Sequence, residues 1–384
     1  MKPDKQKETS EDKEKKGKKK NGVLIVKIIV LVALLCILGF ALYAVYGGFD
    51  EKREADGDRS KAEETGGSSK DSTPVSAPVA DRPTKIAEAE KMVAQYDYDG
   101  AIEKLNEIPD SDSDSEIITK KAEYESAKGS LVETDPSNIT HVFYHSLVVD
   151  PQKAFFQDNS ETAGFCQWMT TVDEFNKITQ QMYDNGYVLV DIHKLVEETK
   201  DESGVTHIKK KPVMLPQGKK PFVLSLDDTS YYHNYDGRGI ASKLVLDDKG
   251  NPVNEYVQDD GSVVTGAYDC IPLLDEFVEQ HPDFSYRGSM GTVALTGYNG
   301  ILGYRTDIAY KTKENLTKDQ SEWIAAHPDF NWDKERDEAK KVAKAVKAKG
   351  WTFASHTWGH IRIGDATLDH LVTDTQKWKQ YVEP

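Results

Sequence analysis

PFVLSLDD, residues 221–228, is an apolar, β-branched run that ends on two adjacent carboxylates. Runs of the same kind recur at 139–146 (ITHVFYHS), 186–191 (GYVLVD), 290–296 (MGTVALT) and 350–355 (GWTFAS). Each is apolar and β-rich and reads as a strand. Between them lie helical patterns. Val172, Phe175, Ile178 and Met182 share one face behind a Thr170 or Thr171 cap, another pattern covers about 270–280, and a charged one spans 334–349. Strands alternating with helices predict an α/β fold with a parallel sheet, open or closed into a barrel. Residues 243–265, with turns at Asp247–Gly250 and Asp259–Gly261, break the rhythm and read as a small β-meander. It follows directly on the aspartate pair, which predicts a flap beside it.

The chemistry-bearing residues fall at strand ends. Asp227 and Asp228 close the 221–226 run, His356 follows the 350–355 run with His360 four residues on, and His145 closes the 139–146 run. In sheets of this kind functional side chains gather at the C-terminal ends of the strands. A carboxylate, two imidazoles and a spare carboxylate suit a divalent cation with an open position. A zincin would need Glu after the first histidine, but Thr357 stands there. There is no Gly-x-Ser-x-Gly elbow and no phosphate-binding glycine loop.

The N-terminal third is organised differently. Residues 1–21 carry nine lysines against five acids, and 22–46 are apolar, with no charge from Ile28 to Tyr46. That length suits one bilayer crossing with the basic tail in the cytoplasm and the rest of the chain outside. Residues 47–82 have the composition of a disordered tether. Residues 83–132 read as a helical stalk in which the stretch around Tyr96–Ile102 resembles a single tetratricopeptide-type hairpin. The chain's formal charge is −16 although its first segment is basic, so the expected extracellular body is strongly acidic. That excludes nucleic acid as a partner. Cys166 and Cys270 are the two cysteines beyond the span; they could pair or stay free.

Ser225-Leu226-Asp227-Asp228 and Ser355-His356-Thr357-Trp358-Gly359-His360 resemble the first two motifs of the NodB-type polysaccharide deacetylases, carbohydrate esterase family four. Phe143–Ser146 and the run from Phe175 to Tyr187 are similar to the branch acting on poly-N-acetylglucosamine. The resemblance spans residues 137–384 and departs at Thr229, where the family has glycine. It implies a distorted (β/α) barrel with fewer than eight strands. It also implies Asp228, His356 and His360 as ligands to a divalent metal, zinc being the expected ion, with Asp227 as general base. The oxyanion segment and the general-acid histidine of the family follow the second motif. Pro384 lies only 24 residues past His360 and His370 sits in a polar helix, so the domain reads as incomplete at its C-terminus.

Three further residues belong to this expectation. Arg305 either steers Asp227 or is a surface arginine. His145 either lines a sugar site or is a hydrogen-bonded core histidine. His233, with Tyr231 and Tyr232, follows the aspartates and would stack on a sugar. The expected whole is a membrane-anchored, extracellular, metal-dependent deacetylase of polysaccharide, either cell-wall glycan or poly-N-acetylglucosamine. The rival is a catalytically impaired carbohydrate-binding or scaffold protein at the cell surface.

Overall fold

The computed structural model describes residues 82–158 and 160–384. The expected tail, span and tether at 1–81 lie outside the described residues. Among those described, no helix is long and apolar enough to cross a membrane.

All five apolar runs form strands, and they make one parallel sheet. We number only these strands: β1 (Thr140–Tyr144), β2 (Tyr187–Leu189), β3 (Lys220–Asp228), β4 (Thr292–Leu295) and β5 (Thr352–Ser355). The order is β5-β4-β3-β1, and β2 also pairs with β3. β3 is the hub. Lys220–Phe222 register with β2, Phe222–Leu226 with β1, and Ser225–Asp228 with β4. Its middle is buried on both faces, which is why its sequence lacks the alternation of a half-exposed strand. The strands close no barrel among the described residues; what stands is a mixed α/β fold around an open parallel sheet.

Helices cover one face. Val172–Asp184 starts at a capping box in which Thr171 and Glu174 exchange side-chain and backbone hydrogen bonds, so Thr171 is the cap. Its Phe175 packs edge-on against Tyr144 of β1. Leu274 and Val278 of Cys270–Gln280, with Val342 and Val346 of Trp332–Ala348, close over Leu224, Leu226, Val293 and Leu295. Burying each such side chain contributes roughly 1.5–3 kcal/mol. Buried Trp351 fixes the approach to β5 by donating Nε1–H to Asp275 Oδ1 at 2.8 Å. The carboxyl of Asp275 is pushed up to about 6 by its own burial.

The opposite face carries His141, Phe143, Val223, Ser225, Asp227, Thr292, Ala294, Thr352 and Ala354, small or polar residues apart from Phe143 and the buried Val223. Thr292 and Thr352 join hydroxyls across it at 2.9 Å, and Phe143 is 51% exposed there.

The expected meander is present as Lys243–Leu246, Pro252–Val257 and Val263–Gly266, antiparallel in that order. It seats beside the aspartate loop, where Asn254 Nδ2 donates to the Tyr231 hydroxyl at 3.1 Å. The two cysteines are free, Cys166 exposed and Cys270 buried.

The helical segment consists of Arg82–Ala94, Tyr98–Asn106 and Ser115–Gly129, the last two capped by Asp97 and Asp114. It is packed onto the sheet. Ala89, Ala101, Leu105 and Ile117 share a buried cluster with Val188, Val190, Leu215 and Val223. Tyr96 donates its hydroxyl to Asp283 O at 2.8 Å, and Arg287 N–H donates to Gln95 O at 2.7 Å. A single hairpin lacks neighbours to bury its apolar face, and here the sheet supplies them.

Candidate metal centre

The parallel register brings the two motifs together. Leu295 of β4 stands level with Asp228 on one side and with Ser355 on the other. Its carbonyl accepts the His356 N–H at 2.9 Å, so the first histidine follows directly from the sheet edge. Asp228 Oδ1 then lies 3.9 Å from His356 Nε2 and 3.6 Å from His360 Nε2. One ligand atom from each of the three residues falls within 4.8 Å of the others. The two rings are tilted by 32° with centroids 5.1 Å apart.

These separations are too long for hydrogen bonds. They are about 0.2 and 0.5 Å longer than the edge of a tetrahedral zinc site, where bonds of about 2.0–2.1 Å place neighbouring ligands about 3.4 Å apart, so a small closure around an ion would reach it. Asp228 Oδ1 is buried and has no hydrogen-bond partner. A carboxylate oxygen in that condition is costly unless a cation meets it. The donor set therefore fits a divalent ion. The His360 side chain is 50% exposed and that of Asp228 20%, which leaves one side of the cluster facing solvent.

The loops that present these ligands are strained. Asp228, Thr229 and Tyr231 have φ of 67°, 36° and 46°, and Thr357 and His360 have 64° and 50°. Left-handed non-glycine residues cost on the order of 1–3 kcal/mol each and persist only where surroundings hold them. The left-handed Asp228 also breaks strand alternation, so the two adjacent carboxylates need not point to opposite faces. Leu302 N–H donates to Thr229 O at 2.9 Å, Gly303 N–H donates to Ser230 O at 3.1 Å, and the Ser230 and Thr296 hydroxyls meet at 2.9 Å.

Arg305 is part of that restraint. It is 4% exposed and donates to Ser230 O at 3.4 Å and Tyr231 O at 2.9 Å. Neither sequence expectation describes it: it is no surface arginine, and its bonds go to backbone carbonyls rather than to the Asp227 carboxylate. Burial lowers its pKa.

Asp227 stands level with Ala294, partly buried, on the face of β3 that carries Ser225. His145 is one residue beyond the last registered pair, Tyr144 and Leu226, which sets it level with Asp227. Its Nδ1 is buried without a partner, so it is not a hydrogen-bonded core histidine. Phe143 and the exposed Trp168 flank its ring at centroid distances of 6.2 and 6.3 Å.

The His233 side chain is buried, 6% exposed. Its Nε2 is 2.6 Å from Asp319 Oδ2, close enough for an ion pair but out of line for a hydrogen bond. Burial, then the charge of Arg305, lowers its pKa. Tyr231 is buried, while Tyr232 stacks on Tyr298 at 5.4 Å. Burial and, after it, the charge of Asp228 push the Tyr232 hydroxyl upward. His370 is exposed on Leu368–Tyr381, the last helix.

Two residues were missed in the sequence. His141 Nε2 meets Ser225 Oγ at 2.9 Å, and its signal was the strand spacing of His141, Phe143 and His145, which puts all three on one face. Asp374, in the last helix, meets the histidine loop and carried no motif at all. No protein-family model, curated protein or solved structure matches this chain.

Proposed function

We propose that this chain is a metal-dependent hydrolase that removes acetyl groups from N-acetylglucosamine units of an extracellular polysaccharide, a cell-wall glycan or poly-N-acetylglucosamine. The observation that carries the reading is the meeting of Asp228, His356 and His360 at the C-terminal end of the parallel sheet, with Asp227 beside them. A NodB-type domain over residues 137–384 and a membrane anchor at 22–46 belong to the same proposal and rest on the sequence resemblance and the apolar run.

Asp228, His356 and His360 would hold the ion. Zinc fits one carboxylate and two imidazoles, and when bound it supplies Lewis-acid polarisation of the acetamide carbonyl and a lowered pKa for water. Asp227 acts as general base, taking a proton from the attacking water. The strained 228–231 loop, held by Arg305, keeps Asp227 and Asp228 in fixed relation, so little reorganisation is needed at the moment of reaction. His145 and the exposed Trp168 form a wall beside Asp227 on which a sugar ring can lie.

Acetate release from a chitooligosaccharide or from poly-N-acetylglucosamine by the zinc-loaded full chain tests this. Release that disappears in Asp227→Asn is the expected result. One observation favours a second reading, a carbohydrate-binding scaffold without catalysis: the open sheet and its exposed Phe143. Glycan binding with no acetate released would favour that reading over the enzyme.

A further inference from the structure

In a helix, two histidines four apart are held by the helix itself. Here they are not. Residues 356–360 form a loop with left-handed turns at Thr357 and His360, so the spacing of the two imidazoles must be fixed from outside. The middle peptide of that loop is gripped on both sides. Trp358 O accepts the N–H groups of Gly297 at 2.9 Å and Tyr298 at 2.8 Å. On the other side Asp374 Oδ1 accepts the Trp358 N–H at 2.7 Å, and Asp374 Oδ2 accepts the Gly359 N–H at 2.8 Å.

Asp374 is 5% exposed, and each of its oxygens meets a backbone donor of the ligand loop. Bonds from backbone N–H to a carboxylate are short and strong, and two in parallel fix orientation as well as distance. The helix that bears Asp374 is itself tied to the sheet edge. Trp378 Nε1–H donates at 2.9 Å to Leu295 O, the carbonyl that also accepts the His356 N–H. Lys377 Nζ lies 4.5 Å from the centre of the Trp358 ring.

We infer that Asp374 is a positioning residue for the metal centre: through the 357–358 and 358–359 peptides it sets the separation and tilt of His356 and His360. The inference rests on the metal reading above. Outer-shell groups that orient ligands typically change metal affinity 10- to 100-fold when lost, whereas a tie that only fastens a helix changes stability alone.

The test uses the full chain and zinc alone, with the dissociation constant read by chelator competition at a temperature where every variant is folded. Asp374→Asn keeps one acceptor and sets a donor against a donor at the other. Asp374→Ala removes both acceptors. Asp369→Asn, exposed on the same helix, is the control. Both Asp374 variants should weaken zinc binding about 10- to 100-fold, with Asp369→Asn unchanged. In the metal-free protein, amide exchange at Trp358 and Gly359 should accelerate in the Asp374 variants. If Asp374→Ala does not fold, Asp374→Asn carries the comparison.

Unchanged exchange at those two amides overturns the inference. So does faster exchange with zinc affinity within twofold of wild type, which would make Asp374 a structural tie only. Wild-type protein that takes up no zinc, or takes it up equally after Asp228→Ala, overturns the metal reading itself and the positioning role with it.

Discussion

Asp228 Oδ1 and His360 Nε2 face each other across 3.6 Å with no hydrogen bond between them, one at the end of the central strand and the other beyond the last strand of the sheet. The first expectation follows from that pair. Asp228→Ala and His360→Ala should each reduce bound zinc from near one per chain to background, because three ligands are the fewest that hold zinc firmly with an open position. Asp227→Asn should keep its zinc. Elemental mass spectrometry of the purified variants checks this, and equal metal content in all three would sink the ligand assignment.

Gly297 tests the seat of the histidine loop. A Cβ at this position would stand 2.2 Å from Cδ1 of Trp358. Gly297→Ala should therefore push Trp358 off its two backbone donors, weaken zinc binding, and cost about 1–3 kcal/mol of stability through overpacking. Thermal denaturation with and without zinc separates the two effects. A variant that denatures and binds zinc like wild type would mean the loop is held elsewhere.

Arg305→Met preserves much of the side chain's volume but leaves Tyr231 O without its donor and Ser230 O with the Gly303 N–H alone. Leaving a buried acceptor unpaired costs about 1–3 kcal/mol. Urea denaturation should show a lower midpoint at an unchanged slope. A midpoint equal to wild type would show that the loop needs no such restraint.

Asp275 gives a pH signature away from the site. Its folded pKa is about 6, above the ordinary carboxylate value, because burial penalises the charged form. A raised folded pKa means that its stabilising contribution is full below about pH 4 and is lost as pH rises through 6. Asp275→Asn keeps an acceptor for Trp351 and does not titrate. Wild type and variant should diverge between about pH 4 and 6, and above pH 7 the variant should be more stable by on the order of 1–3 kcal/mol. Stability curves that stay parallel across that range would contradict the assignment.

The five strands could be read in the sequence because each is an apolar, β-rich run, most continuous in β3, whose middle is buried on both faces, and Asp227, Asp228, His356 and His360 could be read because they sit at the ends of those runs. The barrel was expected from resemblance, and the described strands form an open sheet instead. The bonds of Arg305, which the sequence flagged, and the whole part played by Asp374 were illegible for one physical reason. Each residue is a buried charge whose partners are backbone groups far along the chain, and backbone groups leave no mark on sequence. The docking of the helical segment was similarly hidden, because Val188 and Val223 belong to strands whose other neighbours already account for their apolarity.

That docking has a mechanical consequence. Tyr96 hangs on the carbonyl of Asp283, whose carboxylate also receives Tyr183 Oη at 3.1 Å and Lys219 Nζ at 3.2 Å. Lys219 directly precedes β3, at the end of the hub strand opposite the aspartate pair. A pull applied ahead of Arg82 would therefore meet its first holdfast at the foot of β3, the end of that strand remote from Asp227 and Asp228.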